Sequence, residues 1–307
     1  LIISAITLSL MEIFDERKAG ILFEAALNEN EDVRERALTG IVLFLRKYNN
    51  RLSLYPSINA RLEQLKEDPK FTYRIRHIIL QFILSRETEK ITRKIKDELL
   101  PEMMKMGPKI GNKIKLDELM NDAGMDDKNP EWQNILEEAG IKDKLQELTD
   151  LQMEGAEIMH SSFIHLKSYP FFNEIANWFM PFTIPSDAIG NKEMSSLASV
   201  LMSSSMLCNS DKYSFYLSVS QMPESYRKMM TGQFSAETEA MKSALKEELN
   251  DESKQINYRT RQYIQDLYRF YKLYPRKKDF EDIFDAKPEF YKVYSIHELI
   301  NDGESLF

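Results

Sequence analysis

Apolar residues along this chain recur at the spacing of helix faces, and no run of five or more shows the clean alternation of a strand. Ile3, Ile6, Leu10 and Ile13 step by three and four, so the first stretch reads as a packed helix. Residues 16–27 form a second amphipathic stretch, which Asn28–Asn30 breaks. A third helix opens at Glu31-Asp32-Val33-Arg34 and runs to about Tyr48, with Asn30 or Asp32 placed to satisfy its free N–H groups. Asp68-Pro69 makes the next break, and Phe71-Thr72-Tyr73-Arg74 opens a further helix.

Further along, residues 86–106 read as a charged helix and 107–113 as a loop. Asn129-Pro130 starts another helix, with proline at the first turn. A long helix follows over about 141–167, and two more over 192–208 and 211–222. Residues 235–255 carry apolar positions only sparsely. The stretch 256–274 is a strong helix with Tyr263, Leu267, Phe270, Tyr271 and Tyr274 on one face, and Pro275 stops it. Another short helix is expected at His297.

The first hundred residues contain a repeat. At an offset of 40, Arg34 matches Arg74, Arg36 matches Arg76, Leu38 matches Ile78 and Leu43 matches Ile83. Helix pairs with a period of about 40–47 residues are a HEAT or armadillo signature. The triplet Asp32-Val33-Arg34 resembles the HEAT repeat. That resemblance implies an acidic residue and an arginine forming a ladder between neighbouring repeats. Thr72 replaces the acidic residue in the second copy, so the ladder is expected to be incomplete. Residues 129–182 and the helix at 258–274 resemble large bacterial helical-repeat proteins in which HEAT-like pairs precede tetratricopeptide repeats. The tetratricopeptide signature itself does not occur in this sequence. The expected architecture is all-α: an α-α superhelix, a HEAT-like helical-hairpin solenoid, over 1–106, a linker over 107–130, an irregular helical region over 131–255 and a C-terminal helical segment over 256–307. On this register the first helix lacks its front, and an upstream repeat is expected to cover it.

Composition agrees. Ten glycines in 307 residues are too few for a turn-rich β fold. The net charge of −8 disfavours non-specific binding to phosphate backbones, which is largely electrostatic. Glu12 and Asp15 cut the first apolar run short of a membrane span, and no basic region or cleavage site marks a signal peptide. One cysteine, Cys208, permits no intrachain disulfide and fits a reducing, cytoplasmic setting.

No motif carries recognisable chemistry. His160 and His165 are five apart and turn away from each other on a helix. The loop Gly107–Lys113 has the wrong spacing for a phosphate cradle, and Asp122–Asp127 lacks the alternating ligands of an EF-hand. No catalytic, cofactor-binding or metal-binding residue is assigned, and no enzyme activity or cofactor is expected. Two features suit binding. One is the aromatic stretch Tyr169, Phe171, Phe172, Trp178, Phe179 and Phe182. The other is the helix 258–278, where Arg259, Arg261, Arg269 and Lys272 interleave with tyrosines. Both also read as core faces. From them, Trp178, Phe179, Tyr263, Arg269 and Tyr271 are the candidate partner-binding residues. The expected function is a non-catalytic protein–protein interaction scaffold, with a protein or peptide docked on an inner helix face. The alternative is a nucleic-acid-binding HEAT-like protein that uses a basic inner face built from Arg34, Arg36, Arg74 and Arg76 with Lys277 and Lys278.

Overall fold

The structure, a computed structural model, describes residues 1–94, 165–188, 191–204, 207–228, 232 and 252–285. Among them the regular elements are helical throughout. The α-helices are α1 (Ile2–Glu12), α2 (Glu16–Ala25), α3 (Glu31–Tyr48), α4 (Pro56–Lys66), α5 (Phe71–Lys94), α6 (Lys192–Ser203), α7 (Asn209–Ser220) and α8 (Glu252–Leu273). Short 3-10 turns fill Asn49–Leu54 and much of 165–188. None of the described helices is long and apolar enough to cross a membrane.

Local chemistry sets the helix ends. The Asp15 carboxylate accepts from the N–H groups of Arg17 (2.9 Å) and Lys18 (3.1 Å), capping α2. Asn30 caps α3 in the same way, accepting from Asp32 at 3.0 Å and Val33 at 3.2 Å. Glu31 and Asp32 lie in the first turn of α3 and Arg46 and Lys47 in its last, all placed favourably for the helix dipole. Pro56 opens α4, where its missing N–H costs nothing. Asn191 caps α6. Pro275 closes the α8 region two residues after the helix ends.

Helix starts recur forty residues apart: α2 with α4, and α3 with α5. The helix α3 packs against α1, α2 and α8, while α2 also packs on α4. Every residue from Glu35 to Leu45 is buried, so α3 is enclosed all round rather than along one stripe. Gly40 permits this. A Cβ there would lie 2.5 Å from Thr7 Oγ1 and 3.1 Å from Leu22 Cδ1, so the absent side chain lets α1 and α2 approach together.

The division of the chain differs from the sequential domains predicted. Residues 1–82 and 163–307 make one compact unit, and 83–162 make another. The helix predicted over 86–106 is, as far as Lys94, a continuation of α5. The linker at 107–130 and the helix at His297 lie outside the described residues, as do the helix predicted over about 141–167 as far as 164 and the 235–255 stretch as far as 251; His165–Ser168 is a 3-10 turn, and 252–255 belong to α8.

Candidate functional site

The aromatic stretch folds as two 3-10 turns, Pro170–Asn173 and Ile175–Trp178. Trp178 Nε1 donates to the Phe172 carbonyl at 2.9 Å, satisfying the indole inside the core. Its ring meets Phe172 at 5.0 Å, Phe270 at 6.1 Å and Tyr274 at 6.2 Å between centroids. Phe179 packs on Phe270 at 5.2 Å, and Phe182 on Tyr213 at 4.9 Å. These rings join α8 and α7 into one aromatic core.

This placement corrects the predicted binding surface. Trp178, Phe179, Tyr263, Arg269 and Tyr271 are all 3% exposed or less. Burial of these side chains stabilises the fold, and all five are covered by other parts of the chain. The helix α3 is likewise covered by the chain itself, because α8 lies against it.

Asp211, Lys167 and Arg269 form an ionic cluster in this interior. Asp211 lies in the first turn of α7. Arg269 reaches it from α8 with Nε at 3.0 Å from both carboxylate oxygens and Nη2 at 2.6 Å from Oδ2. Lys167 Nζ lies 2.8 Å from Asp211 Oδ1 and donates to Ser214 Oγ at 2.8 Å. The ammonium also sits over the Phe172 ring, 4.6 Å from its centroid. Burial pushes the Asp211 carboxyl up, but Arg269 and Lys167 outweigh it and hold the group well below the usual carboxylate range. For Lys167 burial wins, lowering its pKa despite the aspartate. Asp266 of α8 accepts from Ser210 N at 2.9 Å and Asn209 Nδ2 at 3.3 Å. It thereby supplies α7 with a cap from a helix more than fifty residues away, in place of Cys208, whose side chain makes no cap bond.

A second cluster ties α3, α5 and α8 together. Arg74 of α5 pairs with Glu35, and with Glu31 at 2.8 Å. Thr260 Oγ1 of α8 donates to the other Glu35 oxygen at 2.8 Å. Arg36 Nη1 donates to the Phe179 carbonyl at 2.9 Å, and its guanidinium lies 4.8 Å over the Tyr263 ring. Burial raises the Glu31 pKa, but hydrogen bonding and charge from Arg74 bring it below the ordinary value. Arg74 reaches back to Glu31 and Glu35, whereas Arg34 pairs with Glu31 in its own helix, and Asp32 pairs with Arg259.

The remaining reactive types are committed to structure. Cys208 is buried, and burial with the Asp211 charge pushes its thiol pKa well up, the opposite of an activated nucleophile. His77 is held near the Asn257 carbonyl at 3.3 Å, and burial lowers its pKa to about 4. His160, His297, the Gly107–Lys113 loop and the Asp122–Asp127 acidic loop lie outside the described residues, as does the side chain of His165. No group of three or more potential metal ligands occurs among the described residues. A shallow cleft of about 220 Å³ opens between α2 and α4, lined by Glu16, Arg17, Ile21, Glu24, Ile58 and Arg61. Arg61 and Glu24 pair across it at 3.2 Å.

Sequence reasoning missed Lys167, Asp211, Asp266 and Glu35. A signal existed for Asp266 alone, since it falls on the same face of α8 as Tyr263 and Phe270. Comparison of the chain with protein-family models, with curated proteins and with solved structures finds no match.

Proposed function

We propose that this chain is a non-catalytic protein–protein interaction scaffold built on HEAT-like helical pairs. The observation that carries the reading is the forty-residue recurrence of helix starts, with α1 packed beside α3 and α2 beside α4. Stacked pairs of this kind bury a shared core and leave extended helix surfaces for partners. The chemistry of the interior agrees with it: Arg74 is bound to Glu35, Lys167 and Arg269 are bound to Asp211, and Cys208 is an inert free thiol suited to a reducing cytoplasm. The basic inner face that nucleic-acid binding would use is weakened, because Arg36 and Arg74 are buried and engaged by Phe179 and the glutamates. Docking then uses surfaces that α8 leaves open rather than the inner face of α3.

The test is affinity capture from the source lysate with the full chain, at low and high salt, read by mass spectrometry. A discrete protein retained at high salt is expected. Nucleic acid that is released as salt rises overturns the reading.

A further inference from the structure

After α8 the chain continues as a strap, residues 275–285, with no regular structure beyond the 3-10 turn Lys277–Asp279. The strap seats two hydrophobic side chains. Phe284 packs among Phe82 (5.4 Å), Tyr268 (5.1 Å) and Tyr271 (6.2 Å), and Ile283 is buried beside it. Phe280 covers Phe270 at 5.1 Å. Three basic groups hold the strap. Arg46 donates to the Ile283 carbonyl at 3.0 Å, Lys47 pairs with Glu281 at 2.8 Å, and Lys272 pairs with Asp282 at 3.0 Å and Asp285 at 2.6 Å.

The attachment is of an exchangeable kind. The strap's own backbone bonds are local, Phe280 N to Lys277 O and Asp285 N to Asp282 O, so its departure breaks no helix or sheet ladder. The Glu281 and Asp285 side chains are more than 70% exposed, and ion pairs of that kind hold weakly. What remains is a ready-made recognition surface: an aromatic pocket in α5 and α8 with cations from α3 and α8 at its rim. Four acids, Asp279, Glu281, Asp282 and Asp285, flank the two aromatic anchors of the segment that fills it.

We propose that this seat is a docking site for an acidic, aromatic-anchored peptide segment of a partner, and that the chain's own strap occupies it as an autoinhibitory stand-in. The inference rests on the scaffold reading and gives that reading a partner chemistry. A competing segment of the pattern acid–aromatic–acid–acid–aliphatic–aromatic–acid exchanges like for like, with its aromatics supplying anchor energy and its acids the steering. The covered seat lowers the apparent affinity by the fraction of molecules in which the strap is closed.

The experiment uses the full chain and a fluorescein-labelled peptide of residues 279–286, DFEDIFDA, with fluorescence anisotropy as the readout. The control peptide carries lysine at each acidic position. Two variants open the seat: Phe284→Ala, which empties the pocket, and Glu281→Lys with Asp285→Lys, which alters only exposed positions and so preserves the fold. Both should bind the acidic peptide about tenfold more tightly than the parent chain, with affinity falling as salt rises and the control peptide inactive. Absence of binding to the folded charge variant, equal binding to parent and variants, or equal binding of both peptides each overturns the proposal. Capture of a salt-resistant protein by the parent chain, together with absent peptide binding, removes this inference and leaves the scaffold reading standing.

Discussion

Asp211→Asn is the substitution on which the buried ionic cluster makes its sharpest prediction. Asparagine keeps the shape but removes the charge that Arg269 and Lys167 share, while both cations stay buried at 2% exposure or less. Both cations then lose their shared counter-charge, with one carboxamide oxygen in place of two charged acceptors. Breaking a buried pair from one side costs about 3–5 kcal/mol, a large part of the roughly 5–15 kcal/mol that holds a domain folded. Urea unfolding followed by far-UV circular dichroism should show the midpoint falling by roughly 1 M or more. Adding Lys167→Met to Asp211→Asn should recover about 1–2 kcal/mol, because it removes one orphaned ammonium. A loss below about 1 kcal/mol for Asp211→Asn, with unchanged helix content, would refute the argument that this aspartate neutralises the interior cations.

Three further outcomes follow from single features. Gly40→Ala places a methyl group against Thr7 Oγ1 and Leu22 and should cost about 1–3 kcal/mol in the same assay, with Thr7→Ala recovering part of the loss. Trp178→Phe leaves the Phe172 carbonyl without its donor and opens space beside Phe270, a cost of about 2–4 kcal/mol measured as a lowered melting temperature. His77 gives a pH dependence: its folded pKa is about 4 against an ordinary 6.5, so the unfolded chain takes up the proton first. Stability from His77 is complete above pH 6.5 and declines as pH falls toward 4, by at most about 3 kcal/mol. His77→Gln should flatten the melting temperature between pH 6.5 and 5, above the range where the carboxylates titrate.

The sequence carried the helices well where their signals are local. Asn30, Pro275 and the face from Tyr263 to Tyr274 marked α3 and α8 through capping, ring geometry and period, all properties of neighbouring residues. The Asp68-Pro69 break and the forty-residue offset marked α5, while α4 went unmarked. What the sequence hid is long-range pairing. Nothing near Lys167 announces Asp211, and nothing near Glu35 announces Thr260, more than two hundred residues away. The aromatic stretch read equally well as a core or a surface, because both reward large apolar rings. Only the packing of α8 on α3 decides between them, and it makes Trp178, Phe179, Tyr263, Arg269 and Tyr271 interior.

The account depends most on α8 lying against α3, since on the proposed scaffold reading that contact covers α3 and leaves docking to other surfaces. A double-mutant cycle with Glu35→Gln and Thr260→Val tests it directly, because their hydrogen bond of 2.8 Å exists only if the two helices meet. A hydrogen bond to a charged group is worth about 1.5–3 kcal/mol, so the two substitutions should couple by about 1.5 kcal/mol in urea unfolding of the full chain. Additivity within about 0.5 kcal/mol would contradict the packing and reopen the inner face of α3 as a binding surface.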